Sequence, residues 1–148
     1  MSDTVLRLER LIAAAPERVF EWWTDPELLA RWFGPDGYAV PSYALDVRPG
    51  GRWHTALRSP AGTLVTVRGV YRAIEPPRRL VFTWAWDQDD GSPGPETEVT
   101  VTFETAPGGT KLVLLQQPFE DRKSRDNHRA GWSSSFDRLE RSIAGKTI

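Results

Sequence analysis

DRKSRDNHRAGWSSSFDRLERSI, residues 121–143, decides the fold. Its large apolar residues fall at Trp132, Phe136, Leu139 and Ile143, in steps of four, three and four. That spacing draws one stripe along a helix of 3.6 residues per turn. Arg125, Arg129, Asp137, Arg138 and Arg141 occupy the other faces, as on a surface helix laid against something apolar. Asp121 or Ser124 can cap its start, and Gly145 lies just past its end, where a left-handed residue stops a helix at little cost.

Most of what precedes this helix reads as strands. Residues 4–12 alternate, with Leu6, Leu8 and Ile12 on one side. Pro16 then opens a short helix whose buried face is Val19, Phe20 and Trp23, because a proline in the first turn lacks only an N–H that would go unused. Asp25-Pro26 caps and starts a second one, residues 26–32, with Leu28, Leu29, Trp32 and Phe33 on its apolar side. Gly34-Pro35-Asp36-Gly37 is a turn.

Six strands are expected after it, in residues 43–47, 52–58, 63–74, 80–86, 97–104 and 110–117, separated by Gly- and Pro-rich turns. Along 52–58, Trp53, Thr55 and Leu57 share one face and Arg52, His54 and Arg58 the other. Residues 63–74 alternate acceptably either way. Setting Val65, Val67, Gly69 and Tyr71 inward keeps Arg68 out of the core, where an unpaired charge would cost far more than a valine gains. Leu80, Phe82, Trp84 and Trp86 point inward on the next strand, then Val99, Val101 and Phe103, and finally Leu112, Leu114 and Gln116. Residues 87–95, DQDDGSPGP, read as a polar, mobile loop. The expected class is α+β: a curved antiparallel sheet wrapped around the long helix, two short helices closing one end, and a tapering space between.

Length and composition bound the function. The 148 residues suit one domain, and a formal net charge of −1 gives no basic field for nucleic acid. There is no cysteine, which excludes disulfides and thiol chemistry and agrees with a reducing, cytoplasmic setting. The opening residues show no signal peptide, and no apolar run is long enough to span a membrane. Seven tryptophans are more than a core of this size needs, since each buries on the order of 150–250 Å². They either fill the interior or wall a ligand pocket.

Catalysis has few candidates. His54 shares strand parity with two arginines and faces solvent. His128, four residues before Trp132, falls near the mouth of the space, where it could orient a ligand or act as a base, though a surface or capping role is the stronger expectation. Asp46 is conceivable as an acid, or as a partner at the Pro49-Gly50-Gly51 turn. No metal-ligand spacing is present, and neither GGRW nor PGGT has the strand-to-helix setting of a phosphate loop. Neither a metal nor a cofactor is expected. The binding set is Trp32, Phe33, Trp53, Tyr71, Phe82, Trp84, Trp86, Trp132 and Phe136 as walls, with Thr55, Tyr71, Gln116, His128 and Ser135 supplying sparse polarity. Such a chamber suits a small hydrophobic ligand, aromatic or lipid-like.

The segments AAAPERVFEWWTDPELLARWFGP, LDVRPGGRW, GVYRAIEPPRRLVFTWAW and HRAGWSSSFDRLERSI together resemble the domain of the activator of heat-shock-protein-90 ATPase, in its bacterial homologue-like branch of the START / polyketide-cyclase / birch-allergen (SRPBCC) superfamily. The resemblance runs over about residues 4–144 and implies a helix-grip fold of six or seven strands with a hydrophobic cavity. It implies function loosely, since the superfamily holds carriers, receptors, cyclases and a co-chaperone domain, so cyclase- or hydrolase-type enzymes and stress-response proteins stay as alternatives. Many bacterial members carry a histidine where this chain has Gln116, so chemistry dependent on that histidine is not expected. The eukaryotic activator docks on its chaperone through a further N-terminal domain, and this sequence opens at the helix-grip region. A chaperone partner is therefore the weaker expectation, and a homodimer is left open.

Overall fold

The computed structural model describes residues 4–145. Chain order gives β1 (Leu6–Ile12), α1 (Pro16–Thr24), α2 (Pro26–Trp32), β2 (Ala39–Leu45), β3 (Arg52–Arg58), β4 (Leu64–Glu75), β5 (Arg79–Trp86), β6 (Thr97–Ala106), β7 (Gly109–Gln117) and α3 (Arg122–Ile143). The seven strands form one antiparallel sheet in the order β1-β7-β6-β5-β4-β3-β2. β1 and β2 therefore hold opposite edges, and α1 and α2 carry the chain between them. Hairpins then lead back until β7 pairs with β1, Leu6 opposite Gln116 and Ile12 opposite Thr110. The sheet curls around α3.

Asp25 makes two helices out of one segment. Its carboxylate accepts hydrogen bonds from the backbone N–H groups of Glu27 (3.0 Å) and Leu28 (3.4 Å), and Pro26 fills the first position of α2. Asp121 does the same for α3, taking the Ser124 N–H at 2.8 Å, so of the two possible caps Asp121 is the one used. The stripe of α3 is buried as its spacing requires at Trp132, Phe136 and Leu139, while Ile143, the last helical residue, is only half-buried.

Three sequence expectations shift. β2 runs earlier than 43–47, and as an edge strand it tolerates Pro41, with an irregularity in pairing between Ala39 and Ser42. Residues 87–95 are not a free loop: Gln88 and Ser92 close a turn (N to O, 2.8 Å), and Asp87 takes a two-pronged bond from Arg68 at 2.7 and 2.6 Å. Arg138 is not on a solvent face either. It is half-buried, and its guanidinium donates to the carbonyls of Arg31, Phe33, Gly34 and Pro35 at 2.9–3.4 Å, just past the end of α2.

Gly69 of β4 earns its place through packing. The Trp53 indole lies across it and donates to the Thr83 carbonyl at 3.2 Å, and a Cβ on Gly69 would sit 1.9 Å from that carbonyl oxygen. At the centre of the core, Trp23 stacks on Trp132 with ring centroids 5.8 Å apart and meets Trp32 edge-on at 4.8 Å. Trp22, which the apolar stripe of α1 does not include, is buried as well, and its carbonyl accepts the Trp32 N–H at 3.0 Å.

Candidate functional site

Between α3, the strands β3–β5 and the loop after α2 lies a cavity of about 230 Å³. Phe33, Gly34, Pro35 and Tyr38 form its loop side, Leu57, Val65, Trp84 and Trp86 its sheet side, and Asn127, His128, Gly131, Trp132 and Ser135 its helix side. A second void of about 20 Å³ lies behind it, walled by Trp23, Leu29, Phe33, Leu45, Trp53, Tyr71, Leu80 and Phe82. A wider depression of about 580 Å³ at Glu75, Arg78, Arg79 and Glu104 is an open groove bounded by charged groups, unlike the apolar cavity.

The thirteen residues singled out from sequence divide by position. Phe33, Trp84, Trp86, His128, Trp132 and Ser135 meet on the main cavity. Trp53, Tyr71 and Phe82, with Phe33 again, wall the smaller void. Trp32, Thr55, Gln116 and Phe136 line neither and are wholly or almost wholly buried. Trp32 closes on Trp23 rather than on open space. Gln116 has its amide committed on both sides, accepting the Trp132 N–H and donating to the Thr97 hydroxyl, each at 2.8 Å. That chain fixes the Trp132 ring as a wall of the cavity.

His128 is held at both ring nitrogens. Nε2 accepts the Trp86 indole N–H at 3.0 Å, which requires the proton on Nδ1, and Nδ1 then donates to the Ser124 carbonyl at 2.8 Å. The imidazole packs 4.8 Å from the Phe119 ring and 6.2 Å from both Trp84 and Trp86. Burial among these rings lowers its pKa, against a smaller opposing pull from the Ser124 carbonyl, so the neutral form is favoured. Ser135 gives its hydroxyl proton to the Gly131 carbonyl at 2.9 Å. Burial, and then the Asp46 carboxylate, raise the pKa of Tyr71, so its phenol stays protonated.

Asp46 is outside. Its half-exposed carboxylate holds Arg48 at 2.8 and 2.9 Å beside the Pro49-Gly50-Gly51 turn, the structural role open to it from sequence. His54 lies on the outer face, half-buried, in register with Arg68.

Sequence reading found Phe33 but overlooked Gly34, Pro35 and Tyr38 on the loop side and Asn127 and Gly131 on α3. Inward parity had already marked Leu57 and Val65. Gly131 carried a signal of its own: it sits three residues after His128 and four before Ser135, on the inward face of α3. A Cβ there would meet nothing nearer than Pro35 Cγ at 3.9 Å. At this position the missing side chain leaves open space.

A curled antiparallel sheet closed on one long helix, with an apolar cavity between them, defines a helix-grip domain of the START-like, SRPBCC class. Residues 13–144 match the family described as Activator of Hsp90 ATPase homolog 1-like protein, and the chain belongs to that family. Among solved structures, it is similar to an AHSA1 protein from Silicibacter pomeroyi at 35% identity, over 96% of this chain and 99% of that one, with a TM-score of 0.88. A Rhodobacter sphaeroides protein follows at 26% identity, over 97% and 95%, with a TM-score of 0.82. A Nitrosomonas europaea protein at 23% identity, over 99% and 97%, shares the fold with a TM-score of 0.83. No curated protein matches the sequence.

Proposed function

We propose that this protein binds a small, neutral, hydrophobic molecule in the cavity between sheet and α3. The observation that carries the reading is the cavity itself: about 230 Å³, walled by Phe33, Trp84, Trp86 and Trp132, with the Trp86 indole, His128 and Ser135 already hydrogen-bonded. An engineered apolar cavity of roughly 150 Å³ takes benzene, and drug-sized ligands occupy roughly 300–1,000 Å³. The volume therefore favours a compact one- or two-ring guest over a long acyl chain.

Environment-sensitive hydrophobic dyes test this. They are expected to bind near one to one and to quench tryptophan emission. Gly131→Leu should abolish the binding by placing a side chain in the cavity, while the helix gains roughly 0.8–1 kcal/mol from losing a glycine. Equal dye binding by both proteins would remove this cavity as the site.

A cyclase- or hydrolase-type reading would run through His128, the one neutral base on the wall. Its Nε2 lone pair is occupied by Trp86, and Asp46 lies outside with Arg48, so binding is the better-supported function.

A further inference from the structure

Among the described residues, four buried side-chain polar atoms have no hydrogen-bond partner: Nε1 of Trp22, Trp23 and Trp84, and Oγ1 of Thr55. Such groups lose their hydration without replacement and are uncommon in native interiors. Trp84 borders the larger void, and Thr55 is buried on the strand that contributes to both. Along β3, Thr55 shares the inward face with Trp53, on the small void, and Leu57, on the large one. Trp84 lines the large void, with its ring centroid 5.8 Å from that of Trp53.

One residue belongs to both walls. The Phe33 ring lies 5.8 Å from Trp84 and 6.5 Å from Trp53, so it divides the larger void from the smaller. Its backbone is fastened, N–H to the Leu29 carbonyl and C=O to Arg138, but neither bond restrains the side-chain torsion. A change in that torsion would join the two spaces beside Trp84.

We propose that the two voids are parts of one ligand chamber, that Phe33 is its movable partition, and that the full guest is a flat, neutral, apolar molecule bearing a carbonyl or ether oxygen, which accepts hydrogen bonds from the Trp84 indole and the Thr55 hydroxyl. The proposal rests on the hydrophobic-binding reading above and specifies its ligand. An indole N–H only donates, so the complementary group on the guest is an acceptor. Neither wall carries an arginine or lysine, so a carboxylate would enter unpaired and be rejected.

Calorimetric titration with two probes of matched shape, 2-acetylnaphthalene and 2-ethylnaphthalene, tests it. The native protein should prefer the ketone by about tenfold. Thr55→Val, close to isosteric, should reduce that preference several-fold. Phe33→Leu should tighten ketone binding by opening the partition in advance. In the native protein, the Trp84 indole N–H resonance should move downfield with the ketone and not with the hydrocarbon. Equal affinity for the two probes, or a Trp84 resonance indifferent to the ketone, overturns the proposal while leaving hydrophobic binding intact. Binding of neither probe removes both.

Discussion

His128 joins packing to protonation. Its pKa in the folded protein is lowered below the ordinary 6.5 by burial, so the unfolded chain takes up the proton first as pH falls. The stability that neutral His128 contributes is complete above about pH 6.5 and is lost progressively as pH drops from there through the folded pKa. Protonation also turns Nε2 into a donor facing the Trp86 N–H, which breaks the bond between them. His128→Phe should remove this sensitivity. Urea denaturation at pH 7.5 and 5.5 is expected to show a smaller loss for the variant, and equal losses would assign the pH dependence to other groups. Gly69 is the other single position with a sharp consequence. Gly69→Ala drives a methyl into the Thr83 carbonyl and the Trp53 indole nitrogen, 1.9 and 2.7 Å from the new Cβ. Chemical denaturation should read a loss of about 3 kcal/mol or more, at the upper end of what overpacking produces.

At the level of elements, α3 is both core and fastening. Arg10 of β1 reaches Asp137 at 2.9 Å and Glu140 at 2.5 Å, tying the sheet edge to the helix. On the other side, Arg138 gathers four carbonyls at the end of α2, Arg141 holds Asp36 at 2.7 Å, and the Ser134 hydroxyl accepts the Asp36 N–H at 2.8 Å. The loop carrying Phe33 and Tyr38 is therefore positioned by the helix opposite. Arg138→Met keeps much of the stem and removes the donors. Its expected loss is roughly 2 kcal/mol, given a few charge-assisted bonds in a half-exposed setting. Hydrogen exchange at Asp36 and Tyr38 should quicken while β6 and β7 keep their protection; uniform acceleration would mean the clamp acts on the whole fold instead. Periodicity alone had left Arg138 among solvated charges, because spacing reports which face a residue occupies and not what another element brings to it.

Across the molecule, the regular elements were legible and the empty space was not. Alternation on 52–58 and 97–104 located Trp53 and Val99 correctly, and steps of four and three fixed Trp132 and Phe136. Parity states that a ring points inward. It does not state whether the ring meets a partner, as Trp32 meets Trp23, or borders a void, as Trp84 does. That difference arises from side chains on elements far apart in sequence, which no local pattern records.

The pairing of β1 with β7 has its own consequence for manufacture on the ribosome. Residues 6–12 emerge early, yet their backbone partners lie at 110–116, and the helix that fills the curl follows later still. For most of translation the nascent chain holds an amphipathic strand with no neighbour, and long-range closure of this kind is slow and exposed to aggregation. A chain stopped at residue 120 would have every strand and nothing to wrap. It should be recovered as insoluble material, and supplying 121–145 as a separate peptide during refolding should restore solubility. A soluble, cooperatively melting 1–120 fragment would show that the sheet can hold its curvature empty.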